Sequence, residues 1–133
     1  MDKSTKMTEA KFQSAFNKWT KYNLKESSVF ELKICKDKSL PFSAVKPHQI
    51  RGLKAARIGL SYKLPDVGMD QKPFDCMLLN NVNGYVVVMF YKRGVKHFYI
   101  IDVDVWEKEI TTSNRKSLTE ERANQIGAKK YLN

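Results

Sequence analysis

Along residues 8–22, TEAKFQSAFNKWTKY, the large apolar side chains Phe12, Phe16 and Trp19 recur every three or four positions. That spacing lays them on one stripe of an α-helix, and Thr8 stands where an N-cap is wanted. Residues 29–35 change to a period of two. In a strand, Phe30, Leu32 and Ile34 share one face, and Val29, Glu31, Lys33 and Cys35 share the other. The run KDKSLPFSAVK at 36–46 is polar and loop-like. Pro47 suits the first turn of a helix, PHQIRGLKAARIG, that closes near Gly59. Its faces are set by Ile50, Leu53 and Ala56 or Arg57, with Gln49 projecting near the Leu53 side.

Beyond that helix, SYKLPDVGMDQKP carries the Pro, Gly and Asp spacing of a loop. FDCMLL, a turn at NNVNG and YVVVMFYK predict a β-hairpin. YVVVMF is apolar on both faces and should therefore be central in its sheet. After a tight link at 94–97, HFYIIDVDVW predicts a third strand that alternates towards its end. There Asp102 and Asp104, between Ile101, Val103 and Val105, read as the outer face of a half-exposed strand rather than as catalytic groups. Ser117 with Glu120 forms a capping box for a short helix, SLTEERANQIG, and the ending AKKYLN is expected to fray. With 133 residues and no repeat, residues 1–133 fit one domain. The expected fold class is α/β, a central mixed β-sheet flanked by helices.

Charge narrows the function classes. There are 24 Lys and Arg against 14 Asp and Glu, a formal net charge of +10. An excess of that size favours a polyanionic partner, namely DNA, RNA or an anionic membrane surface. No apolar run reaches the ~18 residues of a membrane span, and the polar start MDKSTKMTEAK has no signal-peptide core. Cys35 and Cys76 lack metal-ligand spacing and are expected to be free thiols in a reducing cytosol.

Glu-x-Lys occurs twice, at Glu9–Lys11 and at Glu31–Lys33. On a helix, residues two apart do not face each other; on a strand they do, which singles out Glu31 and Lys33. Alone, the pair reads first as a solvated charge pair on a strand face. Two further groups give it more meaning: Gln49 on the following helix, and Asp75 at the head of the apolar strand in KPFDCMLL. An acid there needs solvent or a partner, and if both strands lie in one sheet, Asp75 can approach Glu31. Two carboxylates beside a lysine suit a magnesium ion, which takes oxygen ligands and is often held by one or two carboxylates plus substrate phosphate. Lys33 would then orient or deprotonate a water, or stabilise charge on the phosphate. Asp66 and Asp70 are alternatives to Asp75.

The stretch FELKICKDKSLPFSAVKPHQI resembles the core of Holliday-junction resolvases of the bacterial RecU type and their phage relatives, within the PD-(D/E)XK nuclease superfamily. The shared features are a strand with Glu-x-Lys, a loop with a Pro-Phe pair and a His-Gln at a helix start. GYVVVMFYKRGVKHFYIIDVDVW is similar to that family's two closing strands, and the resemblance spans residues 9–106. It implies a restriction-endonuclease-like core, Glu31 as a metal ligand, Lys33 as the catalytic lysine, Gln49 as the helix glutamine near the phosphate and Glu9 as the first-helix glutamate. From local pattern alone, Glu9 is either a dipole partner in the first helical turn or an inward functional group. The chain departs from the family in having no aspartate on a strand just before Glu-x-Lys, and Asp75 would supply that missing carboxylate.

Lys36, Lys38, Lys46, Arg51 and Lys54 flank this region and can grip a DNA backbone or simply be solvated. His48 and His97 are ligands, phosphate contacts or ordinary surface residues, and Trp19 with Tyr22 is a stacking patch or part of a core. The leading expectation is a cytoplasmic, magnesium-dependent, structure-selective DNA endonuclease, with manganese as a possible substitute, in a bacterial or phage-infected cell. Resolving a four-way junction needs paired sites, hence a homodimer. The alternatives are a related nuclease for other branched or duplex DNA, a basic DNA-binding protein without cleavage, and a partner-binding module.

Overall fold

A computed structural model describes residues 7–65 and 72–132. The first helix, α1 (Glu9–Asn23), starts where Thr8 Oγ1 accepts a hydrogen bond from the Lys11 N–H, and its Phe12, Phe16 and Trp19 are buried, as the spacing predicts. β1 (Ser28–Cys35) follows. The segment read as loop contains a short strand, β2 (Ser39–Pro41), and one 3₁₀ turn over Phe42–Ala44. α2 (Pro47–Ile58) begins at its proline and ends at Gly59. The order continues with β3 (Leu60–Lys63), β4 (Cys76–Leu79), β5 (Asn83–Phe90) and β6 (His97–Asp102), then α3 (Val103–Thr112), β7 (Ser117–Thr119), α4 (Glu120–Ile126) and β8 (Ala128–Tyr131).

Among the described residues, one mixed sheet has the order β1-β5-β6-β8, and β2-β7 and β3-β4 form separate two-stranded ribbons. β1 and β5 are parallel, with Glu31 opposite Val86 and Lys33 opposite Val88, while β5–β6 and β6–β8 are antiparallel. Helices cover both sheet faces, which is why β5 is apolar at every inward position of either face. On one side α1 packs Phe12, Phe16 and Trp19 on Leu32, Val87, Met89 and Phe98. On the other, Leu53 of α2 and Trp106 of α3 meet Val86, Val88 and Ile101. The aromatic rings of the α1 side are in mutual contact, with Phe16 4.9 Å from Phe30 and 5.5 Å from Phe98 between ring centroids. Trp19 is thus core rather than a stacking surface, whereas Tyr22 is exposed.

Several expectations need correction. The predicted hairpin does not form: β4 pairs with β3, and β5 pairs with β1 and β6. The turn residues instead carry the chain back under α2, where the Asn81 and Val82 N–H groups donate to the Arg57 and Ala56 carbonyls. The strand through HFYIIDVDVW stops at Asp102, whose side chain accepts from the Asp104 N–H and caps α3. Val103 and Trp106 are buried at helical spacing, three apart, so Asp102 and Asp104 are not an alternating strand face. Ser117 does not cap the last helix; it belongs to β7, and Thr119 accepts from the Arg122 N–H as N-cap. The ending AKKY is not frayed but pairs with β6.

Candidate functional site

Glu31 and Lys33 lie on the β1 face that looks towards α2, because Leu32 between them is committed to the α1 side. The Lys33 ammonium is 3.2 Å from Glu31 Oε1, and both side chains are largely buried, 17% and 25% exposed respectively. The pleat alone would bring these two together. The third group arrives by tertiary structure. Gln49 lies in the first turn of α2, where its Oε1 accepts from the Lys46 N–H at 2.8 Å. That leaves its Nε2 to donate to Glu31 Oε1 at 3.0 Å. The helix-start hydrogen bond therefore fixes which end of the amide faces the carboxylate. An acid, an amine and an amide meet at the junction of β1 and α2, an arrangement able to hold a cation at the carboxylate or an anionic oxygen at the ammonium.

The position of α2 over this pair depends on Gly84 of β5. A Cβ there would stand 2.5 Å from the Leu53 carbonyl oxygen and 2.9 Å from Leu53 Cβ, so only glycine lets the helix sit this close.

Asp75 is placed differently. Among the described residues, β4 belongs to the β3–β4 ribbon and not to the sheet of β1, so no shared sheet brings Asp75 near Glu31. Asp75 precedes β4, its side chain is 89% exposed and its carboxylate meets Lys72 at 3.4 Å. Asp66 and Asp70 lie outside the described residues. Glu9 is exposed in the first turn of α1, where a carboxylate complements the helix dipole, and α1 covers the sheet face opposite Glu31. Among the described residues no group of three or more His, Cys, Asp or Glu side chains has the arrangement of a metal site.

The basic residues divide. Lys36, Lys38, Lys46 and Arg51 are exposed and have no ion-pair partner among the described residues. Lys54 is held by Glu107 at 2.7 Å, a bond that raises its pKa. Arg57, which the sequence does not mark out, ties the end of α2 to Asp104 at 3.2 Å and to Asn83 at 2.9 Å. His48 is exposed in the first turn of α2, and His97 is taken up by a second polar cluster. There, His97 Nε2 and the Tyr99 hydroxyl both meet Glu120 Oε2 at 2.7 Å. Burial and the Glu120 carboxylate push the Tyr99 phenol above its usual range. A third cluster joins Arg122 to the buried Glu109 carboxylate by two hydrogen bonds of 2.7 and 3.1 Å. Neither cluster was legible in the sequence, because α3 was not expected and the pairs join residues 13 to 23 positions apart on different elements. Cys35 and Cys76 are both free, and burial pushes the Cys35 thiol up, away from reactivity.

Comparison with protein-family models, with curated proteins and with solved structures returns no match for this chain. Among the described residues no helix is long and apolar enough to cross a membrane.

Proposed function

We propose that the chain is a metal-dependent, structure-selective DNA endonuclease acting on branched DNA, with four-way junctions as the first candidate substrate. The observation that carries this reading is the contact of Gln49 with Glu31, beside Lys33. Those three residues match the resolvase motif one by one, and while the pleat joins Glu31 to Lys33, nothing in the 18-residue separation of Gln49 from Glu31 requires those two to touch. The net charge of +10 supports a polyanionic substrate. In this reading Glu31 would hold magnesium or manganese. One carboxylate fits the sparse protein coordination that magnesium accepts when substrate phosphate and water complete its shell. When bound, the ion would supply a polarised phosphate and a more acidic water. Lys33 stabilises negative charge on a phosphate oxygen, and Gln49 keeps the Glu31 carboxylate oriented. Lys46 and Arg51, exposed at the start of α2, position the DNA backbone. A two-fold homodimer in the bacterial or phage-infected cytosol would present two such sites for paired phosphodiester hydrolysis.

The deciding experiment incubates the protein with a synthetic four-way junction, a flap and a plain duplex, with magnesium or with chelator. Magnesium-dependent product from the junction is expected, reduced about 100-fold or more in Glu31→Gln and in Lys33→Ala, with junction binding retained. Wild-type cleavage rates in both variants would remove these residues from the chemistry. A second reading, a basic DNA-binding protein without cleavage, is favoured by the engagement of Asp75 with Lys72 just before β4, outside the sheet of β1. It predicts binding indifferent to magnesium and no product.

A further inference from the structure

A cavity of about 400 Å³ lies at the carboxyl ends of β1 and β5, and neither Glu31, Lys33 nor Gln49 lines it. The two parallel strands stop together, Cys35 opposite Phe90, and the Tyr91 N–H still donates to the Cys35 carbonyl at 2.8 Å. Beyond that point the chains separate. Lys36, Asp37 and Lys38 following β1, Phe90, Tyr91 and Lys92 at the end of β5, and Glu120 of α4 line the cavity. The carboxyl end of adjacent parallel strands is where open α/β sheets commonly leave room for a ligand, because the loops diverge there.

Two features define the chemistry of this space. Lys36, Lys38 and Lys92 have no ion-pair partner among the described residues, whereas Lys33, Lys54 and Lys72 are each paired with a carboxylate. The three ammonium groups outnumber the Asp37 and Glu120 carboxylates that line the same concavity, and none of them is tied up in an ion pair among the described residues, which suits a phosphate. The Glu120 carboxylate is fixed through one oxygen only: Oε2 receives both His97 and Tyr99, and Oε1 carries no hydrogen bond from the described residues. An oriented acceptor in the same cavity as three lysines suits a ligand that has hydroxyl or amino donors a few ångströms from its phosphate. A nucleotide has both, and the cavity has the size of a small-ligand site.

We propose that this cavity is a nucleotide-binding site, in which Lys36, Lys38 and Lys92 hold the phosphate and Glu120 Oε1 accepts a hydrogen bond from the sugar or base. The site stands independently of whether the chain cleaves DNA. The same chemistry is offered by a free mononucleotide and by the 5′-phosphorylated end of a strand.

The test titrates the full chain with AMP, adenosine and inorganic phosphate by calorimetry at moderate salt. In parallel, a short oligonucleotide is compared with and without its 5′-phosphate. The proteins are the wild type, Lys36→Ala/Lys92→Ala, Glu120→Gln, and Lys18→Ala/Lys21→Ala, which removes the same charge from α1. Binding is expected to favour AMP over adenosine and phosphate, or the phosphorylated oligonucleotide over its hydroxyl form; which of the two occurs identifies the source. Lys36→Ala/Lys92→Ala should weaken that binding at least about tenfold, with Lys18→Ala/Lys21→Ala unchanged. Glu120→Gln should weaken the nucleotide while leaving phosphate equal or tighter. No preference in either series, or equal losses in the two double-lysine variants, overturns the proposal. Thermal melts of each variant separate loss of binding from loss of fold.

Discussion

Replacing Gly84 by alanine tests how the site is held together. The new Cβ would lie 2.5 Å from the Leu53 carbonyl oxygen, and about 0.9 Å of displacement is needed to reach the 3.4 Å edge of ordinary contact. The atoms it meets are the backbone and Cβ of α2, which cannot rotate away as a long side chain would. Either the whole helix moves off the sheet or β5 bends. Overpacking of a tight core usually costs about 1–3 kcal/mol, and with backbone atoms in the way the upper half of that range is expected, about 2–3 kcal/mol. Leu53 is one helical turn after Gln49, so a shift of α2 by this amount stretches the 3.0 Å bond from Gln49 to Glu31 beyond hydrogen-bonding range. Equilibrium urea denaturation of Gly84→Ala, with an unchanged slope, measures the stability loss. The resonances of the Gln49 side-chain amide report the local bond. If stability stays within about 0.5 kcal/mol of wild type and the amide resonances do not move, α2 is not seated on Gly84 and the account of the site's placement is wrong.

Other outcomes follow from the remaining clusters. Asp75→Asn should leave magnesium-dependent cleavage intact if Glu31 alone holds the ion, and abolish it if Asp75 is the second ligand; junction cleavage assays separate the two. Arg122→Ala should lower the denaturation midpoint, because it strips both hydrogen bonds from the buried Glu109 carboxylate; an unchanged midpoint in a denaturant titration would refute this. Glu120 has a pH signature. Burial raises its pKa, but the hydrogen bonds from His97 and Tyr99 outweigh that and hold the carboxyl below its usual range. A lowered folded-state pKa contributes stability at pH values above the unfolded carboxylate range, and that stability is lost as pH falls through the folded value. Glu120→Gln should therefore melt lower than wild type near neutrality, with the gap closing in acid; a gap that widens in acid would contradict the sign. The side chain is 42% exposed, so solvent screening keeps the effect modest.

The legible parts of this chain were those whose signal is local. Phe12, Phe16 and Trp19 declare α1 by spacing, Pro47 and Gly59 bracket α2, and the alternation around Leu32 assigns Glu31 and Lys33 to one face. YVVVMF announces a strand covered on both sides because no polar residue interrupts it, and β5 is indeed central in its sheet. The errors came where two structures share one local pattern. Val103, Asp104 and Val105 alternate like a strand, but Trp106 completes a helical stripe with Val103, and the Asp102 cap decides in favour of α3. AKKY carries little apolar signal, and only the free edge of β6 makes it a strand.

Partner choice was beyond local reading for the same reason. NNVNG between two apolar runs specifies a change of direction but not which strand waits on the other side, and β5 takes β1 and β6 as its neighbours rather than β4. The sequence by itself determined that an acid and an amine would project together from β1, since that follows from the pleat of a single strand. Only the tertiary structure decided that Gln49 completes the group, that Asp75 leads into a separate ribbon, and that Glu120 meets His97 and Tyr99. Those contacts depend on which surfaces bury against each other, a choice made by the whole chain minimising exposed apolar area and unpaired polar groups together.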